Sequence, residues 1–343
     1  MERVRIGFIG CGTHSTHNLY PMLNYAQASL EAVCDTNEAL AKRNMALFAG
    51  KAWFTSVDEM LDKAALDGVM IVGPPELHYE AGLKALRRGL PTFVEKPPAS
   101  DLAKTEELVK VAKANKTFLM TGFMKRHGLT YGKIREHIQT GRFIANACSM
   151  KYMHWPGEVS GLRNMLLGMS SHPIDLLLSF FGEPQRIQCS LGKGAKNWLT
   201  LGVNMTFAEG RVGQLMLGAQ ARIQERLEMS GILDGQPAFF VVDNVMHMEL
   251  HRQGQAGVDV WAPALDQIQP TFDLQDIQIW RPDYGIPNMG QTRHFVQGFA
   301  GEVREFCNAI LEKREANPSM EDSLRVMRLI EAICRNPDGT TEL

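Results

Sequence analysis

The chain has 343 residues, of which 45% are hydrophobic and 22% are charged, and its formal net charge is −2. This length suffices for two domains with separate cores, and the composition is typical of a folded globular protein. The small net charge provides no field that would gather nucleic acid or an anionic membrane, so we expect neither partner. No apolar run reaches the roughly 18 residues of a membrane span, and the first strand lacks signal-peptide features. We therefore expect a cytoplasmic protein.

The cysteine and histidine spacings give no sign of a metal site. The six cysteines are scattered without a C-x-x-C pair, which indicates reduced thiols rather than a disulfide framework or a zinc site. His14 and His17 are three residues apart, but no cluster of cysteines or carboxylates accompanies them. We predict no bound metal.

Residues 1–122 alternate short apolar strands with helical stretches, which predicts a parallel sheet covered on both faces. The predicted strands are Val4–Ile9, Leu30–Cys34, Gly68–Val72, Thr92–Val94 and Thr117–Thr121, and the predicted helices are Glu38–Phe48, Glu76–Arg88 and Asp101–Ala114. The region is predicted to be an α/β Rossmann domain, that is, a doubly wound parallel sheet.

The pattern changes in residues 123–343, where β-rich segments are separated by Gly, Asn, Asp or Pro turns. The segments are Ile144–Trp155, Gln185–Leu191, Trp198–Phe207, Val212–Leu217 and Phe239–Val242, and helices are predicted over Gln291–Lys313 and Met320–Cys334. This pattern predicts an α+β domain with a large antiparallel sheet.

A glycine-rich loop, Gly10-Cys11-Gly12-Thr13-His14-Ser15, follows the first predicted strand. Gly10 permits a tight turn, and Gly12 lets a pyrophosphate approach the backbone, while the next helix offers its N–H groups to the phosphates. Ser15 stands where a third glycine is usual, and it is small enough to be tolerated. Thr13 and His14 complete the predicted cofactor-binding loop.

Asp35 ends the second predicted strand, 23 residues after Gly12. This spacing suits a carboxylate that accepts hydrogen bonds from the adenosine ribose, and it would repel a 2′-phosphate. Lys42 and Arg43, the nearby cations, lie further along the next helix. We therefore predict NAD rather than NADP. The alternative interpretation of Asp35 is a solvated turn residue.

Two further strand ends reach the predicted nicotinamide site. Gly73 and Pro74 follow the third predicted strand in a stiff loop, and His78 either lines the cofactor or is a capping or core histidine. Glu95 and Lys96 precede two prolines at the next strand end. A lysine beside an oxidised nicotinamide has a lowered pKa and can exchange a proton with a substrate hydroxyl, so Lys96 is a catalytic candidate. The alternative is a surface lysine paired with a glutamate.

Together these motifs resemble the glucose–fructose oxidoreductase/inositol dehydrogenase/MocA (Gfo/Idh/MocA) family of NAD(P)-dependent dehydrogenases. The resemblance depends on Gly10-x-Gly12, Asp35, Glu95-Lys96-Pro97, Gly122-Phe123-Met124-Lys125-Arg126 and Ser171-His172-Pro173-Ile174-Asp175, and on the C-terminal segments Glu302-Val303-Arg304-Glu305-Phe306 and Pro318-Ser319-Met320-Glu321-Asp322.

The resemblance implies a Rossmann domain followed by an α+β domain that binds substrate and often forms oligomer contacts through its open sheet. It also implies that Lys96 and His172 flank the carbon that exchanges hydride, and that Asp175 binds substrate hydroxyls. The i, i+3 spacing places His172 and Asp175 on one helix face. Without the family, His172 reads as a polar residue near a helix start.

Other substrate contacts are less determined. His154 and Trp155 end the first long strand of the second region and could reach the pocket, where Trp155 would stack on a sugar ring or simply belong to the core. One departure from the family pattern concerns Gly168, which stands where an aspartate is frequent four residues before the histidine. A proton relay through that carboxylate is in doubt here.

The sequence favours an NAD-dependent dehydrogenase that oxidises a secondary alcohol of a sugar, cyclitol or related polyol, or reduces the keto form. His172 would be the general base, and Lys96 would polarise the reacting oxygen. One alternative is an enzyme that retains NAD and uses transient oxidation for elimination or glycosidic cleavage. Another is a non-catalytic NAD-binding sensor. A homodimer or homotetramer is expected from the family and from the apolar residues between Trp198 and Leu217.

Overall fold

The computed structural model describes residues 3–154, 161–194, 198–219, 222–252, 276–281 and 292–343. Within these residues the chain forms a six-stranded sheet from its first third and a nine-stranded sheet from the remainder. Each sheet has its own apolar core. The predicted order, a Rossmann sheet followed by an α+β region, is confirmed. The exact boundary after residue 122 stays a prediction.

The first sheet is parallel throughout, with strand order β3-β2-β1-β4-β5-β6. Its strands are β1 (Val4–Ile9), β2 (Ala28–Cys34), β3 (Ala52–Phe54), β4 (Gly68–Ile71), β5 (Thr92–Glu95) and β6 (Leu119–Gly122), and its helices are α1 (Glu38–Leu47), α2 (Val57–Lys63), α3 (Pro75–Arg87) and α4 (Leu102–Ala114). Strand order reverses between β1 and β4. Ligands of such sheets bind at the carboxyl ends of the strands beside this reversal.

The segment after β1 is helical, but it is not a regular α-helix. It forms a π turn over Ser15–Leu19 and a 3₁₀ turn over Tyr20–Tyr25, where Pro21 stands at the start. Helix α4 begins one residue later than predicted, because the Asp101 side chain accepts from the backbone N–H of Lys104 and acts as the N-cap.

The second sheet is mixed, because its strand order is β14-β13-β12-β11-β7-β10-β9-β8-β15. Its strands are β7 (Phe143–His154), β8 (Arg186–Lys193), β9 (Leu199–Thr206), β10 (Val212–Ala219), β11 (Gln224–Leu233), β12 (Gln236–Asp243), β13 (His247–Arg252), β14 (Asp276–Trp280) and β15 (Thr340–Glu342). All neighbouring pairs are antiparallel except β7 and β10, which are parallel. The expectation of a wholly antiparallel sheet is therefore wrong at one pair. Two helices and the β8–β9 hairpin separate β7 from β10, so β10 can return in the same direction as β7.

Six helices follow the first sheet along the described residues: α5 (Leu129–Gln139), α6 (Leu162–Met165), α7 (Ser171–Phe181), α8 (Thr292–Gln297), α9 (Phe299–Leu311) and α10 (Met320–Arg335). The predicted helix Gln291–Lys313 is divided at Gly298, and Gln291 itself lies outside the described residues. Gly298 has φ +107°, and a Cβ at this position would lie 1.9 Å from the Met124 carbonyl oxygen. Only glycine fits this break.

Helix α9 packs against the first sheet although it follows the second in sequence. The Phe306 ring contacts the rings of Phe93 and Phe118, with centroids 5.9 Å apart in both pairs. Phe299 and Val303 belong to the same apolar core. Helix α9 thus contributes to the core of the first sheet. No helix of the described residues is long and apolar enough to span a lipid bilayer.

Candidate active site

The carboxyl edge of the first sheet brings together most of the residues predicted to bind the cofactor. The loop after β1 holds Gly10 to His14, Asp35 follows β2, and Gly73 with Pro74 follows β4. Glu95 is the last residue of β5, and Lys96 comes directly after it. Because parallel strands end at one edge, residues far apart in sequence become neighbours there.

The two loop glycines have different roles. Gly10 has φ +101°, and a Cβ on it would lie 2.0 Å from the Val72 carbonyl oxygen, so the chain cannot turn here with any other residue. Gly12 is exposed, and a Cβ on it would meet no atom within 4 Å. Ser15 donates from Oγ to the Gly12 carbonyl oxygen at 3.0 Å and so fits inside the turn. The open backbone at Gly12 and the helical N–H groups that follow suit a dinucleotide pyrophosphate.

Asp35 is hydrogen-bonded to the glycine loop. Its Oδ2 accepts from the Cys11 N–H at 2.7 Å, and its Oδ1 accepts from the Asn37 N–H at 2.8 Å. The carboxylate therefore stands beside the loop at the position expected for ribose recognition. Arg43 lies closer than its place on α1 suggested, because its Nη2 donates to the Cys11 carbonyl oxygen at 3.0 Å and to Thr16 Oγ1 at 3.2 Å.

His14 connects the glycine loop to the end of β5. Its Nε2 lies 3.3 Å from Glu95 Oε1, and its Nδ1 lies 3.0 Å from the Asn18 amide nitrogen. Because that amide donates to Nδ1, the ring proton is on Nε2 and is donated to Glu95. The second Glu95 oxygen accepts from the Lys96 N–H at 2.8 Å. Glu95 is buried, and its role is to hold the loop and the strand end together.

Lys96 extends from the first sheet to the helical turn that precedes α7. Its Nζ donates to the Gly168 carbonyl oxygen at 2.9 Å. Burial lowers the pKa of Lys96, and the Glu95 carboxylate opposes this effect by raising it. Since the hydrogen-bond acceptor is a neutral carbonyl, the ammonium charge receives less stabilisation than an ion pair would give it.

His172 lies in the first turn of α7, is 4% exposed, and is surrounded by positive charge. Burial lowers its pKa well below the ordinary value, and the charges of Lys96 and Lys125 lower it further. In the described residues its Nδ1 has no hydrogen-bond partner. The imidazole is therefore neutral near pH 7 and has a ring nitrogen available, which are the properties of a general base.

The turn before α7 explains how Gly168 lies next to these groups. Leu166–Ser170 form a π turn, so Gly168 precedes the regular helix. Pro173 has no N–H to donate to residue 169, which disfavours a regular α-helical turn there. A Cβ added to Gly168 would meet no atom within 4 Å.

His78 joins two loops at the same edge of the sheet. Its Nε2 accepts from the Gly73 N–H at 3.1 Å, and its Nδ1 lies 2.8 Å from the Pro97 carbonyl oxygen. The side chain is fully buried, and burial lowers its pKa. This geometry favours the interpretation of His78 as a core histidine over direct contact with a cofactor.

The structure places Asp175 in a buried ion pair, and its role in binding substrate hydroxyls stays a prediction. Both carboxylate oxygens accept from Arg126, at 2.8 Å from Nε and 2.7 Å from Nη2, and the residue has no exposed surface. Arg126 Nη1 also lies 3.0 Å from Asp322 Oδ2. The i, i+3 spacing with His172 is present, but this carboxylate is occupied by the guanidinium.

His154 and Trp155 are only partly placed. His154 is the buried last residue of β7 and aligns with the end of β10. Trp155 lies outside the described residues.

Sequence reasoning did not predict the buried ion pair of Lys125. Its Nζ lies 2.6 Å from Glu225 Oε2, both side chains are buried, and Tyr131 donates its hydroxyl to the other Glu225 oxygen. Lys125 follows β6 at the same sheet edge as Lys96, and its charge acts on His172. The adjacent cations Lys125 and Arg126 after an apolar strand were the available signal, but Glu225 is 100 residues away in sequence.

The fold is that of a protein with a dinucleotide-binding domain and a second α/β domain. His172 of the second domain follows the turn that Lys96 contacts from the carboxyl edge of the first sheet. Residues 4–123 match the oxidoreductase family described as having an NAD-binding Rossmann fold, and residues 151–338 match the C-terminal alpha/beta domain of that family. The chain belongs to the Gfo/Idh/MocA oxidoreductase family.

Individual relatives are more distant. An inositol 2-dehydrogenase from Arthrobacter sp. (strain FB24) is 27% identical over 202 residues, which cover 57% of this chain and 60% of that protein. The chain spans 42 to 60% of the length of the first inositol 2-dehydrogenases it matches.

Solved structures share the fold over nearly the whole chain. A dehydrogenase from Chromobacterium violaceum has a TM-score of 0.83 at 24% identity and covers 98% of this chain and 95% of its own. A levoglucosan dehydrogenase, in complex with NADH and L-sorbose, has a TM-score of 0.80 at 17% identity and covers 100% and 99%.

The contrast between the loop glycines generates a test. Gly10→Ala should lower the melting temperature, because the added methyl group collides with the backbone at Val72. Gly12→Ala should leave the melting temperature within about 2 °C of wild type and weaken NAD binding by roughly ten-fold or more, because its methyl group occupies pyrophosphate space. Thermal melts and calorimetric NAD titrations measure both effects. Unchanged NAD affinity in Gly12→Ala would exclude this loop from the cofactor site.

Proposed function

We propose that this protein oxidises a secondary alcohol of a sugar, cyclitol or related polyol with NAD, or reduces the corresponding ketone. The observation that carries the proposal is the hydrogen bond from Lys96 Nζ to the Gly168 carbonyl oxygen at 2.9 Å, four residues before His172, whose pKa the lysine charge lowers. A neutral base and a polarising cation at the carboxyl edge of a Rossmann sheet are what alcohol oxidation requires.

The cofactor supplies a hydride acceptor when it is bound. Gly12 and the following N–H groups would hold its pyrophosphate, and Asp35 would accept hydrogen bonds from its ribose. His172 would take the hydroxyl proton of the substrate at a ring nitrogen. Lys96 would orient the same oxygen and stabilise negative charge that develops on it.

Two features support the substrate class. Relatives include inositol 2-dehydrogenases and the levoglucosan dehydrogenase complex named above, whose substrates by name are a cyclitol and an anhydrosugar. In this chain the polar groups around His172 suit a polyhydroxylated ligand, since hydroxyl groups hydrogen-bond to lysine and imidazole. Asp175 would contribute to such binding only if Arg126 released it.

The main experiment separates this function from its rivals. Purified protein is mixed with NAD and a panel of cyclitols and sugars, and the near-ultraviolet absorbance of the reduced cofactor is followed. Mass spectrometry of the protein as purified detects retained NAD. Turnover with free NAD supports the dehydrogenase, retained NAD with a changed sugar product supports elimination or glycosidic cleavage, and binding without either supports a sensor.

We also infer that the outer face of the second sheet is an oligomer interface. Val212 and Met216 on β10 point outward and are 49% and 44% exposed, and Ile144 on β7 is 63% exposed. The same face has a concavity of about 790 Å³. Exposed apolar side chains concentrated on one sheet are characteristic of a contact between subunits.

Lys96→Ala should lower kcat by roughly 100-fold or more, because a polarising group that touches the reacting oxygen is lost. NAD affinity should change little. The matched control is Lys63→Ala, which removes an exposed lysine from α2. Steady-state kinetics and NAD titration give the two values, and near-normal turnover in Lys96→Ala would remove this lysine from the mechanism.

Asp35→Ser should narrow or reverse the preference for NAD over NADP, because the 2′-phosphate no longer meets a carboxylate. Glu38→Ser is the control, since it removes an equal charge three residues further along the chain. Calorimetry with both cofactors measures the ratio of affinities. If wild type binds NAD and NADP equally, Asp35 does not select the cofactor.

Gly168→Asp should shift the acidic limb of the kcat/KM profile to higher pH. A carboxylate beside His172 stabilises the imidazolium form and raises its pKa, so the neutral base appears only at higher pH. Gly168→Asn is the uncharged control of similar size. Identical profiles for the two variants would mean that His172 does not govern this limb.

Light scattering should give a mass of two or four chains for wild type at micromolar concentration. Met216→Asp should reduce the mass to that of a monomer, because it places a charge in the apolar interface. Leu47→Asp is the control, since Leu47 is an exposed apolar residue on α1, away from the second sheet. A monomeric wild type would contradict the interface.

A further inference from the structure

Helix α9 places a glutamate inside the protein without a hydrogen-bond partner. Glu302 has no exposed surface, and neither of its carboxyl oxygens has a hydrogen-bond partner among the described residues. Its backbone N–H donates at 2.9 Å to the carbonyl oxygen of Gly298, the residue that separates α8 from α9. An ionised carboxylate without partners is strongly disfavoured in such surroundings, whereas a protonated carboxyl is tolerated.

The neighbouring acid, Glu95, is held in the opposite state. It is also buried, but His14 donates to one oxygen at 3.3 Å and the Lys96 N–H donates to the other at 2.8 Å. Burial alone would raise the pKa of Glu95, but the hydrogen bond from His14 and the positive charge of Lys96 lower it below its ordinary value. The ring of His14 is half exposed, so Glu95 reaches solvent through it.

The two acids influence each other. Burial raises the pKa of Glu302 well above its ordinary value, and the charge of Glu95 raises it further. Among the described residues, Glu95 is the charged group that acts on Glu302. The titratable groups on the elements packed against α9 are His14, His17, Tyr20, Tyr25, Arg5, Lys125, Arg126, His127, Arg293 and His294.

We propose that Glu302 is a buried acid whose carboxyl group stays protonated in the folded protein, so that the negative charge at the end of β5 is carried by Glu95 alone. This charge lies on Glu95, next to Lys96. The Glu95 charge raises the pKa of Lys96, and a protonated Glu302 adds no second negative charge to it. The link to catalysis rests on the proposed function, but the protonation of Glu302 does not.

The first test measures stability against pH. Glu302 has a raised pKa in the folded state, so its stabilising effect is complete below the unfolded pKa and is lost as pH rises toward the folded pKa. Glu302→Gln mimics the protonated form at every pH. Its melting temperature relative to wild type should therefore increase between pH 5 and pH 9, by about 2 °C or more.

The matched control is Glu305→Gln, one turn later on α9. Glu305 accepts from Arg314 at 2.6 and 2.9 Å, so Glu305→Gln should lower the melting temperature by weakening this ion pair. A Glu302→Gln variant that is less stable than wild type by the same amount at every pH would overturn the proposal.

The second test observes the proton directly. Wild type at pH 7 should show an infrared carbonyl band of a buried protonated carboxyl group. The band should be absent from Glu302→Gln and retained in Glu305→Gln. If Glu302→Gln leaves the spectrum unchanged, Glu302 is ionised and the proposal is wrong. Neither this measurement nor the melting series requires a substrate, so both remain decisive if no polyol is oxidised.

The third test concerns the reaction. At pH 7, Glu302→Gln should keep kcat/KM within about two-fold of wild type, because the residue is neutral in both proteins. Glu302→Asp, which keeps an ionisable group but shortens it, should show the same alkaline loss of stability as wild type. A loss of roughly ten-fold or more in kcat/KM for Glu302→Gln would mean that the reaction needs an ionised Glu302 and would overturn the proposal.

Discussion

The hydrogen bond from Lys96 Nζ to the Gly168 carbonyl oxygen is the contact on which the site depends. It joins the end of β5 to the turn before α7, so it brings a residue of the Rossmann sheet next to His172. The acceptor is uncharged, which leaves the lysine charge without an ion pair. Burial and this neutral acceptor together explain why the pKa of Lys96 is lowered although Glu95 is its neighbour in sequence.

The neighbouring cations Lys125 and Arg126 explain by contrast why we propose Lys96 as the catalytic cation. Lys125 and Arg126 are also buried, but Glu225 neutralises the first and Asp175 with Asp322 neutralises the second. Breaking a buried ion pair by removing one partner costs about 3–5 kcal/mol, so these two cations are committed to structure. Lys125 still contributes to the reaction centre at a distance, because its charge helps to keep His172 neutral.

Sequence predicted the parallel sheet well because its strands are continuous apolar runs separated by helical patterns. It missed β3, which is three partly buried residues at the sheet edge, and α5, whose pattern is interrupted by Gly132. Strand β11 was missed although Leu227 and Met229 point inward and Arg226 and Glu228 do not, since charged residues dominate its outer face. The partners of buried charges could not be predicted at all. Asp175 meets Arg126 across 49 residues, and only the folded chain brings them together.

Gly168 illustrates how a departure from a family pattern changes the physics of a site. The π turn at Leu166–Ser170 directs the Gly168 carbonyl oxygen toward Lys96. The same turn does not require a backbone N–H at position 173, which proline lacks. With no carboxylate at this position, the groups that act on His172 are all positive. A neutral imidazole surrounded by cations can accept a proton only as negative charge develops nearby. In the proposed mechanism, proton removal by His172 therefore accompanies the formation of an alkoxide on the substrate, which Lys96 would stabilise.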